Sequence, residues 1–155
     1  MDITRLVQAV HAHSASDAFR PDLTPQQWQA LAPLLVRREL IAGNRLMRQG
    51  EVERSACLLE RGNLQVFASG AAPGGQRIAI LRPGALVGEP GLFAAVPRAA
   101  HVEAMTPCTV WQLEVGRLDA LGECAPELAL KLLRAAGAVM ALRSRALRER
   151  GQPHG

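Results

Sequence analysis

The sequence predicts an α+β fold: an antiparallel sandwich or barrel of short strands, bracketed by helices. Three observations point there. From about Val36 to Glu114, short runs alternate apolar and polar residues and are punctuated by glycine. Just before that segment stands a helix-start signature, Thr24-Pro25-Gln26-Gln27. After it, a helical periodicity runs from Pro126 to Arg150.

Each element has a local reason. Ile3, Leu6, Val7 and Val10 are spaced for a short helix, and Ser14-Ala15-Ser16-Asp17 reads as a loose connection. His11 and His13 diverge on such a helix and face solvent rather than share a metal. Thr24 can cap the next helix, Pro25 suits its first turn and Gln27 completes a capping box. Trp28, Leu31, Leu34 and Leu35 then form its apolar face. The strand-like runs are Arg38–Ile41, Arg45–Arg48, Ala56–Leu59, Leu64–Phe67, Arg77–Leu81 and Val110–Leu113. Gly43, Gly50, Gly62, the Gly70–Gly75 stretch, Gly84 and Gly88 separate them, a spacing typical of antiparallel sheets. Ala71-Ala72-Pro73-Gly74-Gly75 has the composition of a hairpin tip.

On the long C-terminal helix, Leu128, Leu132, Ala135 or Ala136, Val139 and Leu142 share one face. Leu133, Ala136, Met140 and Leu147 form a neighbouring stripe. Two apolar faces call for two partners. One is the β unit. Small Ala136, Gly137 and Ala138 would admit a second helix, so a homodimer through the C-terminal helix is expected.

Composition narrows the function. A chain of 155 residues is one domain's worth of sequence. With 48% hydrophobic and 21% charged residues it is not a disordered chain. No apolar run approaches the ~20 residues of a membrane span, and the acid at Asp2 argues against a secretory signal. A cytoplasmic protein without membrane association is expected. The net charge of +4 comes from scattered arginines, with a cluster only at Arg143, Arg145, Arg148 and Arg150. Scattered charge is a solvated surface, so DNA contact would be non-specific and salt-dependent at most. Tyr is absent and aromatics are 3%, which argues against a base-stacking platform. Cys57, Cys108 and Cys124 are odd in number and form no CxxC pair, so neither a disulfide framework nor a structural zinc site is expected. They read as reduced thiols filling core space.

The chemistry lies in Leu86 to Ala100, sequence LVGEPGLFAAVPRAA. It begins strand-like, predicts a short helix from Pro90 to about Ala94, and ends with Arg98 before the next strand. The first N–H groups of a helix attract anions, and small residues let a phosphate approach the backbone. Arg98 offers a fork for two phosphate oxygens. Glu89, an acceptor only when ionised, suits a sugar hydroxyl. Together these describe a site for a sugar phosphate.

These residues resemble the phosphate-binding cassette of cyclic-nucleotide-binding domains. That family includes the sensors of bacterial catabolite-activator-type regulators, cyclic-nucleotide-dependent kinases and gated channels. Gly88-Glu89 is followed by Pro97-Arg98-Ala99-Ala100 at the family's spacing, and Gly50 and Gly62 match its turn glycines. The resemblance runs from about Leu31 to Arg150. It implies a β-roll or jelly-roll barrel of about eight strands, a short cassette helix between the sixth and seventh, and two C-terminal helices. The implied organisation is an N-terminal helical extension (1–22), the cyclic-nucleotide-binding domain (23–150) and a disordered tail (151–155).

The roles implied by the resemblance follow residue by residue. Glu89 accepts the ribose 2′-hydroxyl and Arg98 pairs with the cyclic phosphate. The N–H groups of Gly91 and Ala99 complete the cradle, Gly88 permits close approach, and Val87 belongs to the ligand-lining set. Leu92 packs the short helix on the barrel. Arg143 and Ser144 fall near the family's base-contacting positions. Pro90 replaces a usual aliphatic residue and removes one N–H, which the first turn of a helix tolerates. Members selective for cGMP often carry Thr where this chain has Ala99, so cAMP is the favoured ligand and cGMP the second. The chain ends at Gly155 without a helix-turn-helix, which implies a stand-alone sensor acting through an effector protein of unknown identity or a change of dimer state.

Three other readings compete. A degenerate module could keep Glu89 and Arg98 only as an internal salt bridge and serve dimerisation. A haem or redox sensor on the same barrel would need His11, His13, His101 or the cysteines. An enzyme is disfavoured, because no Ser–His–Asp or Cys–His arrangement or general base is suggested. No metal is expected.

Overall fold

The computed structural model describes residues 2–69 and 76–151. The expected hairpin tip at 71–75 lies outside the described residues. So does the expected tail, apart from Gly151, which ends the last helix. In chain order the helices are α1 (Thr4–Ala12), α2 (Pro25–Leu31), α3 (Pro90–Phe93), α4 (Val115–Cys124) and α5 (Pro126–Gly151). The strands are β1 (Val36–Leu40), β2 (Arg45–Met47), β3 (Ser55–Arg61), β4 (Leu64–Ala68), β5 (Gln76–Leu81), β6 (Leu86–Val87), β7 (His101–Ala104) and β8 (Cys108–Glu114). Eight strands, with α3 between the sixth and seventh, match the expected order.

The strands form two four-stranded antiparallel sheets, ordered β1-β8-β3-β6 and β2-β7-β4-β5. This is a roll of two facing sheets and not a closed barrel. The interleaved order brings distant residues together: β3 pairs with β8 on one side, and Cys57 faces Val87 of β6 on the other.

The α2 start is built as its residues dictate. Thr24 Oγ1 accepts from the Gln27 N–H at 3.1 Å, and Gln27 Oε1 accepts from the Thr24 N–H at 3.0 Å. The box orients Trp28 and Leu31 into the core. Lys131 of α5 also donates to Gln27 Oε1 and to the Asp22 carbonyl, which docks α5 on this corner. Thr24→Ala is expected to cost about 1 kcal/mol, the usual worth of such a cap. That should appear as a fall of roughly 2–4 °C in Tm, read by thermal melting.

Two hydrophobic cores result. Between the sheets lie Cys57, Leu59, Leu64, Val87, Val102 and Val110. On the outer face of the first sheet, Ala56, Leu58, Trp111 and Leu113 pack against the helices. Successive β3 side chains therefore serve opposite cores, as the two-residue period of a strand requires. Ile3, Leu6 and Val10 of α1 and its N-cap, and Phe19 behind them, are buried in the helix-side core, so the N-terminal segment shares the interior with the rest of the chain. It seats against the turn before β6, where Gly84 has φ +96°. A Cβ there would collide with the Ala9 carbonyl oxygen.

α5 buries Leu128, Leu132, Ala135, Ala136 and Val139, as its first stripe predicts. Leu142, expected on the same face, is exposed. The reason is reach: from Ala141 to Glu149 every residue is exposed except Arg143, because the helix outruns the surface it packs on. Leu130 and Leu147 are exposed as well.

Candidate functional site

The segment after β6 is shaped by hydrogen bonds of its own backbone. Gly88 takes φ +82°, a left-handed conformation that only glycine adopts without cost. The chain then coils into α3. The Gly91 N–H donates to the Gly88 carbonyl at 3.1 Å, and the Leu92 N–H to that of Glu89 at 3.0 Å. Pro90 occupies the first turn, where its missing N–H has no intrahelical role. Leu92 is buried in the helix-side core and Val87 in the core between the sheets. The cassette is thus anchored in one interior just before Gly88 and in the other by its short helix.

Arg98 is positioned by its main chain. Its N–H donates to the Glu51 carbonyl at 2.7 Å, and its carbonyl accepts from the Gly50 N–H at 2.8 Å. The side chain turns inward and is 8% exposed. Nη1 donates to the Gly88 carbonyl at 2.9 Å and Nη2 to the Ser55 carbonyl at 2.8 Å. Nε is sealed from solvent without an acceptor. Among the described residues only Glu53 brings a carboxylate near, at 4.0 Å, and its side chain is 40% exposed. A Cβ at Gly88 would stand 2.7 Å from Arg98 Nη1, and one at Gly91 2.6 Å from the Glu53 carbonyl oxygen. Gly88 and Gly91 therefore make room for the guanidinium itself, which packs where a side chain at either position would stand.

Glu89 is 5% exposed. It does not pair with Arg98, so the internal salt bridge considered from sequence is absent. Its Oε2 accepts instead from Arg143 Nη1 of α5 at 3.0 Å, and Arg143 Nε donates to Asp17 Oδ2, also at 3.0 Å. Arg143 thus meets the cassette and the α1–α2 loop. Ser144 and Ala99 are exposed. The Gly91 N–H, expected in a phosphate cradle, is spent on the Gly88 turn.

Sequence reasoning missed Asp17, Glu53, Arg54 and Ser55. Arg54 Nε donates to the Gly91 carbonyl at 2.7 Å and fixes α3 from below. Ser55 is buried and bonds Glu53, with Gln112 donating to both. A serine opening the apolar run Ala56–Leu59 was the available signal for this network. Asp17 gave none, since its partner lies 126 positions away.

Of the residues a haem or redox site would need, the His101 ring is engaged and two of the cysteines are buried. His101 Nδ1 accepts from the Gln49 N–H, and its Nε2 bonds Ser69 Oγ. Cys57 and Cys108 are buried as expected, while Cys124 is exposed. Burial pushes the Cys57 thiol up to about 12 and raises that of Cys108 as well. Among the described residues no cluster of three or more His, Cys, Asp or Glu side chains could hold a metal, and no helix is long and apolar enough to cross a membrane. In the basic cluster of α5, Arg143 is turned inward and Arg145 is paired with Glu149.

The profile of the cyclic nucleotide-binding domain family matches residues 37–123. The chain belongs to that family. A cyclic nucleotide-binding domain from Methylobacillus flagellatus superposes with a TM-score of 0.83 over 99% of this chain and 85% of that one, at 21% identity. That likeness is one of fold. The catabolite activator protein of Thermus thermophilus gives a TM-score of 0.68 at 26% identity, over 84% of this chain and 59% of that one. An uncharacterised NTE family protein of Mycobacterium bovis is 28% identical over 114 residues, 74% of this chain but 19% of its own length. The cyclic nucleotide-binding domain described here thus has the fold and family of a regulatory binding module.

Proposed function

We propose that the domain is a cytoplasmic sensor that binds a cyclic nucleotide, cAMP in preference to cGMP. It passes the signal to a partner protein or through a change of dimer state. The observation that carries this reading is Arg98: a buried guanidinium with an unpartnered Nε, packed directly against Gly88 and Gly91 of the cassette. A buried charge without a close counter-ion is costly. A cyclic phosphate carries one negative charge and several acceptor oxygens, and it would relieve that cost. Glu89 stands at the N-terminus of α3 and offers carboxylate lone pairs to a ribose hydroxyl. Ala99 supplies no side-chain hydroxyl for a guanine amino group, which supports the preference for adenine. The end of α5 beyond Val139 lies next to Glu89 through Arg143, where it can close over a base, and the exposed Leu142 and Leu147 on it leave apolar surface for a second copy of the chain.

Calorimetric titration with cAMP and, in parallel, cGMP tests the proposal. Micromolar or tighter binding of cAMP, and weaker binding of cGMP, is the expected result. Absence of both heat and thermal shift at millimolar concentrations of either would overturn it. The cassette would then serve the fold alone, and the exposed end of α5 would be the main functional surface.

A further inference from the structure

Glu89 and Arg143 do not form a simple pair. Arg143 is held between two carboxylates from distant parts of the chain, Glu89 of the cassette and Asp17 of the α1–α2 loop, each at 3.0 Å. Burial grades along the chain of contacts. The Glu89 side chain is 6% exposed, that of Arg143 23% and that of Asp17 32%. Arg143 sits on the stretch of α5 that has left the core, where its neighbours are exposed. A long side chain on such a stretch loses rotamer freedom when it pairs with Glu89. Asp17 bears part of that cost, because the loop that carries it is itself fixed. Phe19, two residues on, is buried beside Leu92 of α3 and Leu132 and Ala136 of α5.

We infer that Asp17 is a positioning residue for the ligand site: it holds Arg143 in place, and Arg143 sets the plane of the Glu89 carboxylate that accepts the sugar hydroxyl. The inference rests on the proposed binding of a cyclic nucleotide with its 2′-hydroxyl on Glu89. Arg143 takes only Oε2; Oε1 accepts none of the hydrogen bonds among the described residues. An ionised carboxylate has about four lone-pair sites. The guanidinium therefore orients the acceptor without consuming it. A second consequence follows. The α1–α2 loop, remote in sequence from the cassette, becomes part of sugar recognition, so anything that displaces the loop alters selectivity at the ribose.

The test compares the affinities of the full chain for cAMP and 2′-deoxy-cAMP. Wild type is expected to prefer cAMP. Asp17→Asn, which keeps shape and removes charge, should reduce that preference about threefold, the range of a partly exposed ion pair. Asp17→Glu should restore it, and Arg143→Gln should reduce it at least as far. Affinity for 2′-deoxy-cAMP and the melting temperature should change little in Asp17→Asn, which separates positioning from general loss of structure. An unchanged preference in Asp17→Asn, or a rise in cAMP affinity showing that Arg143 competes with the sugar, would overturn the inference while leaving the binding proposal intact. A wild-type chain that binds neither nucleotide would overturn both.

Discussion

Replacing Arg98 with alanine should weaken cyclic-nucleotide binding by roughly 100-fold or more, about 2.8 kcal/mol. The size follows from burial. A surface arginine would lose a screened contact worth less than 1 kcal/mol. Arg98 is buried with an unpartnered Nε, so its attraction for a phosphate is little weakened by solvent. The same change leaves the Gly88 and Ser55 carbonyls without their donor, and an unpaired buried acceptor costs roughly 1–3 kcal/mol. Arg98→Lys separates the two effects. Lysine keeps the charge but lacks the planar fork. It should melt close to wild type and bind cAMP with an intermediate loss, about tenfold. Titration and melting of both variants check this. Wild-type affinity in both would mean that the ligand is held elsewhere.

The largest expected effect on stability comes from Gly84→Ala. At φ +96° any Cβ is strained by about 1–2 kcal/mol. Here the added methyl also runs into the Ala9 carbonyl oxygen, which is helix backbone and cannot rotate away. The conflict is resolved only by moving α1. That displaces Leu6 and Val10, both fully buried, and burying one such side chain is worth about 1.5–3 kcal/mol. A loss of about 3–5 kcal/mol is expected, a fall in Tm on the order of 10 °C. Hydrogen exchange should locate the damage: α1 amides lose protection while those of β3 and β8 keep it. Uniform loss across the chain would show instead that α1 and the roll unfold as one unit.

Local rules were enough for most of the elements. The capping box at Thr24, the glycine-punctuated strands and the proline-led cassette helix each depend on neighbours within a few residues, so the sequence states them directly. Gly50 and Gly62, taken as turn glycines, both have φ near +90°. The sheet order did not follow in that way, because β3 finds β8 and β6 through pairings far outside the reach of local sequence rules. The site divides along the same line. Glu89 and Arg98 were legible as a spaced pair of chemically apt residues. Their partners were not: Glu89 bonds a residue 54 positions away and Arg98 Nη2 bonds one 43 away. Arg143 was placed by counting along α5, and counting cannot show that its side chain turns toward the cassette and Asp17. Leu142 failed for a related reason, since periodicity gives the face of a helix but not where its support ends.

The alternation of β3 between two interiors acts as a ruler for the cassette. Sliding the strand by one residue would trade Ala56 and Leu58 for Cys57 and Leu59 at every position, so neither interior would be filled by the right volumes. Because that slip is forbidden, Cys57 must stand opposite Val87, and Ser55 keeps a fixed offset from Gly88. Those are the two residues whose carbonyls grip Arg98. The spacing of the grip is therefore calibrated by greasy side chains that never meet the guanidinium. A truncation deep in β3, such as Leu59→Ala, would detune the cassette without altering any residue in it.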